Sequence, residues 1–134
     1  MTGGTDVHQF DWMSLLEYAE ARVACRSQFM RRLVINRAYY AAFHGARSRL
    51  RELGVHDADS RFHRQVWKRF ERGDGAPPRD VRAWRTIGEL GGRIRDERTR
   101  ADYDPWASWS SDDCARIVAD AREVVNRIGA LTSR

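Results

Sequence analysis

The spacing of the apolar residues constrains the fold of this chain most strongly. In five segments apolar side chains recur every three or four residues, and no segment alternates with the period of two that a β-strand needs. Gly88, Gly91 and Gly92 in the fourth segment weaken a helix but permit close contact with a neighbouring one. The expected fold is an all-α, up-and-down bundle of about five helices. The predicted helices cover about 11–26, 28–53, 59–71 and 79–101, and a last helix begins after a cap at Ser110 or Ser111.

The length of the chain suits one domain. Its 134 residues, of which 42% are hydrophobic, can build one core without disulfides or metal. We expect a flexible N-terminus at 1–10 and a single bundle over 11–134. No window approaches the ~18 to 20 apolar residues of a membrane span. Cys25 and Cys114 stand far apart in the sequence, without a CxxC spacing or a histidine partner. We therefore expect a cytoplasmic protein with no metal site, no cofactor and no membrane association.

The charge of the chain is compatible with an anionic partner. A net charge of +5, from 24 basic and 19 acidic residues, favours nucleic acid through the release of counterions. Lys68 is the only lysine, and a GC-rich coding sequence produces an arginine excess as readily as selection for phosphate binding does. The charge alone therefore permits an RNA partner without requiring one.

The second predicted helix carries the most informative stretch, which reads RAYYAAFH over 37–44. Arg37 and His44 are seven residues apart, which is nearly two helical turns and ~10 Å along the axis. They therefore share a face with Tyr40, roughly opposite the apolar stripe that contains Tyr39. A helix with apolar groups on both faces lies at the centre of a bundle or faces a partner chain.

Three stretches together resemble HEPN domains, most closely the small stand-alone or nucleotidyltransferase-associated branch. They are the run RAYYAAFHGARSRL at 37–50, His63 near the start of the third helix, and the run RTRADYDP at 98–105. The resemblance spans about 12–130 and implies a fold with the same number of helices as the apolar pattern predicts.

The resemblance to HEPN domains also implies a chemistry. Many members of this family are metal-independent ribonucleases in which an arginine and a histidine four to six residues apart, late in the bundle, form a site across a dimer. The histidine can move the proton of a ribose 2′-hydroxyl, and the guanidinium can bind the scissile phosphate. In this chain Arg95-Asp96 resembles the opening of that motif, but no histidine follows within seven residues.

Candidate site residues follow from the shared face of the second helix and from the late run. An unpaired Arg98 on the apolar stripe of the fourth helix would be costly, so it needs an acidic partner such as Asp102, four residues on. The candidates for catalysis are His44, Arg37, Arg98 and Tyr103, and those for RNA or nucleotide binding are Arg95, Tyr40 and Asp102.

Each candidate also has a purely structural interpretation. His44 can be a hydrogen-bonded core residue, and Arg37, Arg98 and Asp102 can form an ion network that fixes helix packing. His63 is expected to pack or to bond locally. Two further aromatic residues, Trp106 and Trp109, can stack on a base or close the core as a lid.

Three functions remain open at this point. The first is an RNA-directed, metal-independent endoribonuclease of a toxin–antitoxin or defence system, acting as a homodimer with an antitoxin as a further partner. The second is a non-catalytic nucleotide- or RNA-binding partner of a nucleotidyltransferase. The third is a protein-interaction module, which burial of Arg37 and His44 away from any cavity would favour.

Overall fold

The computed structural model describes residues 11–55 and 63–131. The expected flexible N-terminus at 1–10, and residues 59–62 of the predicted third helix, lie outside these ranges. Within them, five α-helices and no strand are present, so the all-α prediction is confirmed. The helices are α1 (Met13–Ala21), α2 (Gln28–Glu52), α3 (His63–Arg72), α4 (Val81–Tyr103) and α5 (Ser111–Ala130), and a short 3-10 turn (Pro78–Asp80) precedes α4.

The first helix is shorter than the sequence predicted. It begins at Met13 with Trp12, not Asp11, at the N-cap position, although the Asp11 carboxylate accepts the backbone N–H of Met13 at 3.1 Å. Helix α1 also ends at Ala21 rather than near 26.

Arg22 already leaves the helical conformation (φ −115°, ψ 14°), and the chain then turns, since the N–H of Arg22 donates to Ala19 and that of Cys25 donates to Arg22. Ser27 separately begins α2, because it accepts the N–H of Met30 and has the extended backbone (φ −95°, ψ 146°) that a cap requires.

Helix α2 lies at the centre of the bundle and contacts all four other helices. Small residues make this possible, because alanines at 38, 41, 42 and 46 are fully buried and keep the helix thin. At Gly45 the ring of Trp12 lies 3.1 Å from the place where a Cβ would stand. The prediction that α2 is central is therefore confirmed.

Helices α3 and α4 pack closely through two glycines of α4. A Cβ added at Gly88 would lie 2.7 Å from the carbonyl oxygen of Trp67, and one added at Gly91 would overlap the ring of Trp67. A Cβ at Gly92 would meet nothing within 4 Å. Two of the three glycines thus make the expected close contact, and the approach brings the start of α3 beside the second half of α4.

The start of α2 is tied to the end of α4 by side chains that bond to backbone. Arg32 donates to the carbonyl oxygens of Ala101 at 2.9 Å and Ala107 at 2.5 Å. The amide of Gln28 both donates to the backbone carbonyl of Trp109 and accepts its N–H. Because the start of α2 meets the end of α4, these two helices run antiparallel and the middle of α2 faces the last turns of α4.

Two further findings concern the expected environment of the protein. None of the helices in the described ranges is long and apolar enough to cross a membrane. Cys25 and Cys114 are free thiols, and folding brings them near one another despite their separation in the sequence. Burial, and to a smaller extent the neighbouring Cys25 thiol, raise the pKa of Cys114 to about 11.

Candidate functional site: a cluster of histidines and arginines

Aromatic rings from the middle of α2 form one wall of the candidate site. His63, the first residue of α3, stacks on Phe43 with 3.8 Å between ring centres and an angle of 10°. Its Nδ1 lies 2.9 Å from the hydroxyl oxygen of Tyr39, which accepts a hydrogen bond from the indole N–H of Trp67 at 3.1 Å. Trp67 can only donate, so the Tyr39 proton is free to point to Nδ1 of His63, and in that arrangement Nε2 carries the ring proton of neutral His63.

His44 lies on the same side of α2, next to Tyr40 and Phe43. Its ring centre is 6.0 Å from that of Tyr40 and 5.5 Å from that of Phe43. Burial, followed by the positive charge of Arg47, lowers the pKa of His44 below its ordinary value. His44 is therefore neutral at pH 7 and able to accept a proton.

The charged groups that lower the pKa of His63 are all basic. Burial has the largest effect on this pKa, and the charges of Arg98, His44, Arg95 and Arg47 add to it, so that the pKa of His63 falls to about 4. Among the residues that the structure describes, no carboxylate is one of these groups. We call His44, His63, Arg47, Arg95 and Arg98 the histidine–arginine cluster.

Arg98 is the central cation of this cluster. Its side chain is only 12% exposed, and its guanidinium lies 5.1 Å from the ring centre of Tyr39 and 5.5 Å from that of Tyr40. It pairs with Asp102 at 3.3 Å, the partner expected from the spacing of four residues. Its Nε is buried and has no hydrogen-bond partner within 11–55 and 63–131, and the same is true of Nε in Arg47. Two donors of the cluster thus have unused bonding capacity toward the described residues.

A polar chain continues from Asp102 to Arg37. Both carboxylate oxygens of Asp102 lie 3.2 Å from the amide nitrogen of Asn36, and Arg37 donates to the amide oxygen of Asn36 at 2.6 Å. The geometry of the structural network expected for Arg37, Arg98 and Asp102 is therefore present, with Asn36 as a link that the sequence did not indicate. Arg37 is not among the groups that act on either histidine.

The aromatic residues at the end of α4 divide between surface and core. Tyr103 is 75% exposed and Trp106 is 92% exposed, whereas Trp109 is buried. The indole N–H of Trp109 donates to Glu97 at 3.2 Å, and Arg32 lies 5.1 Å from its ring centre. Of the two alternatives for these tryptophans, stacking on a base or closing the core, Trp109 closes the core. Trp106 is a surface side chain.

The structure brings together only some of the predicted site residues. His44, Tyr40, Arg95 and Arg98 meet in or beside the cluster, with Asp102 attached through Arg98. Arg37 is connected only through Asn36, and Tyr103 points to the surface outside the cluster. His63 bonds locally to Tyr39 as expected, but it also belongs to the cluster, which the sequence did not predict.

Arg47 and His63 belong to the cluster but were not predicted as site residues, and a sequence signal existed for only one of them. Arg47 follows His44 by three residues, so helical geometry alone places the two side chains on one face. The contact between His63 and Phe43 joins two helices, and a single sequence carries no signal for it. Within 11–55 and 63–131, no group of three or more His, Cys, Asp or Glu side chains is close enough to hold a metal ion.

These features define an all-α domain with a basic, aromatic-lined site at the junction of α2, α3 and α4. The family model of the HEPN domain matches residues 14–131, nearly the whole chain. The chain therefore belongs to the HEPN domain family. Comparison with curated proteins and with solved structures gives no match.

Proposed function

We propose that this HEPN domain acts on RNA as a metal-independent endoribonuclease, with the histidine–arginine cluster as its active site. The observation that carries the proposal is the convergence of two imidazoles with lowered pKa values and three guanidiniums on one aromatic wall. A phosphodiester supplies acceptors for guanidinium donors that bond to no described residue, and a neutral imidazole supplies the base that cleavage needs.

In the proposed reaction His44 accepts the proton of a ribose 2′-hydroxyl. The 2′ oxygen then bonds to the adjacent phosphorus while the bond from phosphorus to the 5′ oxygen breaks. The His44 imidazolium returns the proton to the leaving 5′ oxygen, and the product ends in a 2′,3′-cyclic phosphate. Arg95 and Arg98 stabilise the charge on the non-bridging oxygens, and the Nε2–H of His63 donates to one of them.

We assign Arg37 a positioning role rather than contact with the substrate. It acts through Asn36 and Asp102, which hold the Arg98 guanidinium against Tyr39 and Tyr40. Such a chain orients one face of Arg98 and leaves its other donors for phosphate.

We further propose that the protein works as a homodimer in the cytoplasm, in a toxin–antitoxin or defence setting with an antitoxin as partner. The support for a dimer is the position of the exposed aromatic residues Phe29, Tyr103 and Trp106. All three lie at the end of the bundle where the start of α2 meets the end of α4. In this proposal Tyr103 reaches the cluster of the partner subunit rather than that of its own chain.

A second function is favoured by the late segment of α4, where no histidine follows Arg95-Asp96 within seven residues. His63, which joins Arg95 and Arg98 in the cluster, has a pKa of about 4 and so suits phosphate binding better than proton transfer. The alternative is therefore a non-catalytic nucleotide- or RNA-binding domain that assists a nucleotidyltransferase.

The test is incubation of the protein with single-stranded and transfer RNA in EDTA, beside His44→Gln, Arg98→Gln and the control Arg85→Gln. Arg85 is an exposed arginine of α4 outside the cluster. We expect cleavage with cyclic-phosphate ends, a loss of about 100-fold or more in the first two variants, and an unchanged rate in the control. Binding of RNA by the wild type without cleavage would select the second function, and neither binding nor cleavage would contradict both.

A further inference from the structure

A large cleft between α3, α4 and α5 lies beside the histidine–arginine cluster. Its volume is ≈ 980 Å³, at the upper end of the ~300–1,000 Å³ that ligand pockets have. It is open to solvent along one side and has room for a chain molecule rather than for one small ligand. Neither the family assignment nor the proposed cleavage chemistry accounts for it.

The lining of the cleft is charged, and most of its carboxylates are already neutralised. Three acid–base pairs lie within it, between Lys68 and Glu71 at 3.5 Å, Arg95 and Asp96 at 3.1 Å, and Arg127 and Glu123 at 2.7 Å. Glu89 is the remaining acid of the lining. The lining is therefore neither generally acidic nor generally basic. Its binding preference depends on the charged side chains that are not in these three pairs.

Two arginines of the lining have no acidic partner in the described parts of the chain. Arg64 lies on α3 and Arg93 on α4, and neither has a carboxylate within 4.0 Å. A guanidinium without an acid is a ready ligand for phosphate because its donors match two phosphate oxygens. Two such groups on two different helices can bind successive phosphates of one strand.

The cleft and the histidine–arginine cluster share a wall. Arg95 lines the cleft and its charge acts on His63, while Trp67 lines the cleft and donates to the Tyr39 hydroxyl that bonds to His63. Arg64 directly follows His63 in α3. A strand with one phosphate at the cluster can therefore continue into the cleft without leaving the surface.

One residue of the lining is suited to a steric test. Gly92 lines the cleft, and a Cβ added there would meet nothing within 4 Å, unlike the glycines that pack against α3. A larger side chain at 92 fills the cleft while the contact between α3 and α4 stays intact. Gly129 of α5 is equally open and does not line the cleft, so it provides a matched control.

We propose that this cleft binds the single-stranded segment of the RNA that adjoins the scissile phosphate, with Arg64 and Arg93 on its backbone. The inference rests on the proposed function, since it assigns the substrate of the same site as a single strand that extends beyond one phosphodiester. Because two guanidiniums bind the phosphate backbone, the affinity for this segment depends on the length and charge of the RNA rather than on its base sequence.

The test measures binding of a fluorescent RNA of about ten nucleotides, with 2′-O-methyl groups to prevent cleavage, and of a dinucleotide. We expect Gly92→Leu, Arg64→Gln and Arg93→Gln each to weaken binding of the longer RNA by about tenfold, and the dinucleotide by less than twofold. Each arginine variant should also reduce the salt dependence of binding by about one unit of logarithmic slope. Gly129→Leu and Arg85→Gln should bind both RNAs as the wild type does.

The outcomes separate this inference from the proposed function. If the wild type binds the longer RNA and the three cleft variants bind it equally well, the cleft is overturned as the strand site while the function stands. Equal weakening of the longer RNA and the dinucleotide would also overturn it, because the effect would then lie in the cluster. If the wild type binds neither RNA, the proposed function fails and takes the inference with it.

Discussion

Helix α2 carries two polar regions, one at its start and one in its middle, that differ in how many of their side-chain donors have hydrogen-bond partners. At its start, Gln28 and Arg32 bond to backbone groups of Ala101, Ala107 and Trp109, and these contacts are complete within the chain. In its middle, the histidine–arginine cluster has two buried guanidinium nitrogens that bond to no residue the structure describes and two imidazoles with lowered pKa values.

The contrast separates what holds this fold from what it can bind. Side-chain bonds to backbone carbonyls at the start of α2 satisfy groups that would otherwise be orphaned, so they stabilise the native state. In the middle of α2, Asp96 and Asp102 offset only part of the positive charge of Arg47, Arg95 and Arg98, and two buried guanidinium nitrogens bond to no described residue. This region therefore costs stability, and an anion can reduce that cost.

The largest predicted effect is a loss of stability at the start of α2, where the side chains bond to backbone groups. Arg32→Ala removes two charge-assisted hydrogen bonds and leaves two carbonyls unpaired, so we expect a loss of about 3 kcal/mol in the free energy of unfolding. Urea denaturation followed by circular dichroism measures it. The control is Arg26→Ala, which removes an exposed arginine near the start of the same helix. Equal losses in the two variants would contradict a stabilising role for the Arg32 bonds.

The second prediction concerns pH and the cluster. Because the pKa of His63 is about 4 in the folded protein and about 6.5 in an unfolded chain, the unfolded state binds more protons between these values. Stability is therefore full above pH 6.5 and falls as the pH drops toward 4, by about 1–2 kcal/mol after allowance for the partial exposure of His63. Urea denaturation at pH 7.5 and pH 4.5 measures the loss.

The variant His63→Phe serves as the comparison for this pH dependence. It keeps the ring stack on Phe43 but cannot take up a proton, so its stability should fall by about 1–2 kcal/mol less than that of the wild type over the same pH range. The same fall in both proteins would show that His63 does not titrate in the way that its basic surroundings require.

The smallest predicted change in stability is at Arg98. Arg98→Met removes a cation whose Nε bonds to no described residue, while Asp102 is 25% exposed and keeps its hydrogen bonds to Asn36, so we expect the unfolding free energy to change by less than about 1 kcal/mol. RNA binding should nevertheless fall by at least tenfold. A loss of stability as large as that of Arg32→Ala, with RNA binding intact, would place Arg98 in the structural region instead.

The helices were predictable because local rules determine them. The apolar period predicted the number and type of the helices, and of the two expected caps of α5, Ser110 and Ser111, it is Ser110 that caps the helix, in a capping box with Asp113. The end of α1 was missed because the chain turns at Arg22 while the apolar pattern still continues to Val23. Gly88 and Gly91 could be predicted to permit a contact, whereas the neighbour that they contact could not.

The candidate site was only partly predictable because its contacts join different helices. Helical spacing placed His44 and Tyr40 on one face and paired Arg98 with Asp102. The same spacing suggested that Arg37 acts beside His44, but Asn36 captures its guanidinium. His63 joins the cluster only through the packing of α3 on α4, which depends on the ring of Trp67 against Gly91. Such long-range contacts have no period in the sequence.

The most direct test of the account is the pKa of His63, measured by NMR in the free protein and with the 2′-O-methyl RNA bound. The account predicts a pKa near 4 in the free protein, since burial and the guanidiniums of the cluster disfavour the imidazolium. It predicts a clear rise on binding, because a phosphate offsets those charges. A free pKa near 6.5, or a value that RNA binding leaves unchanged, would contradict the assignment of this cluster as the phosphate site.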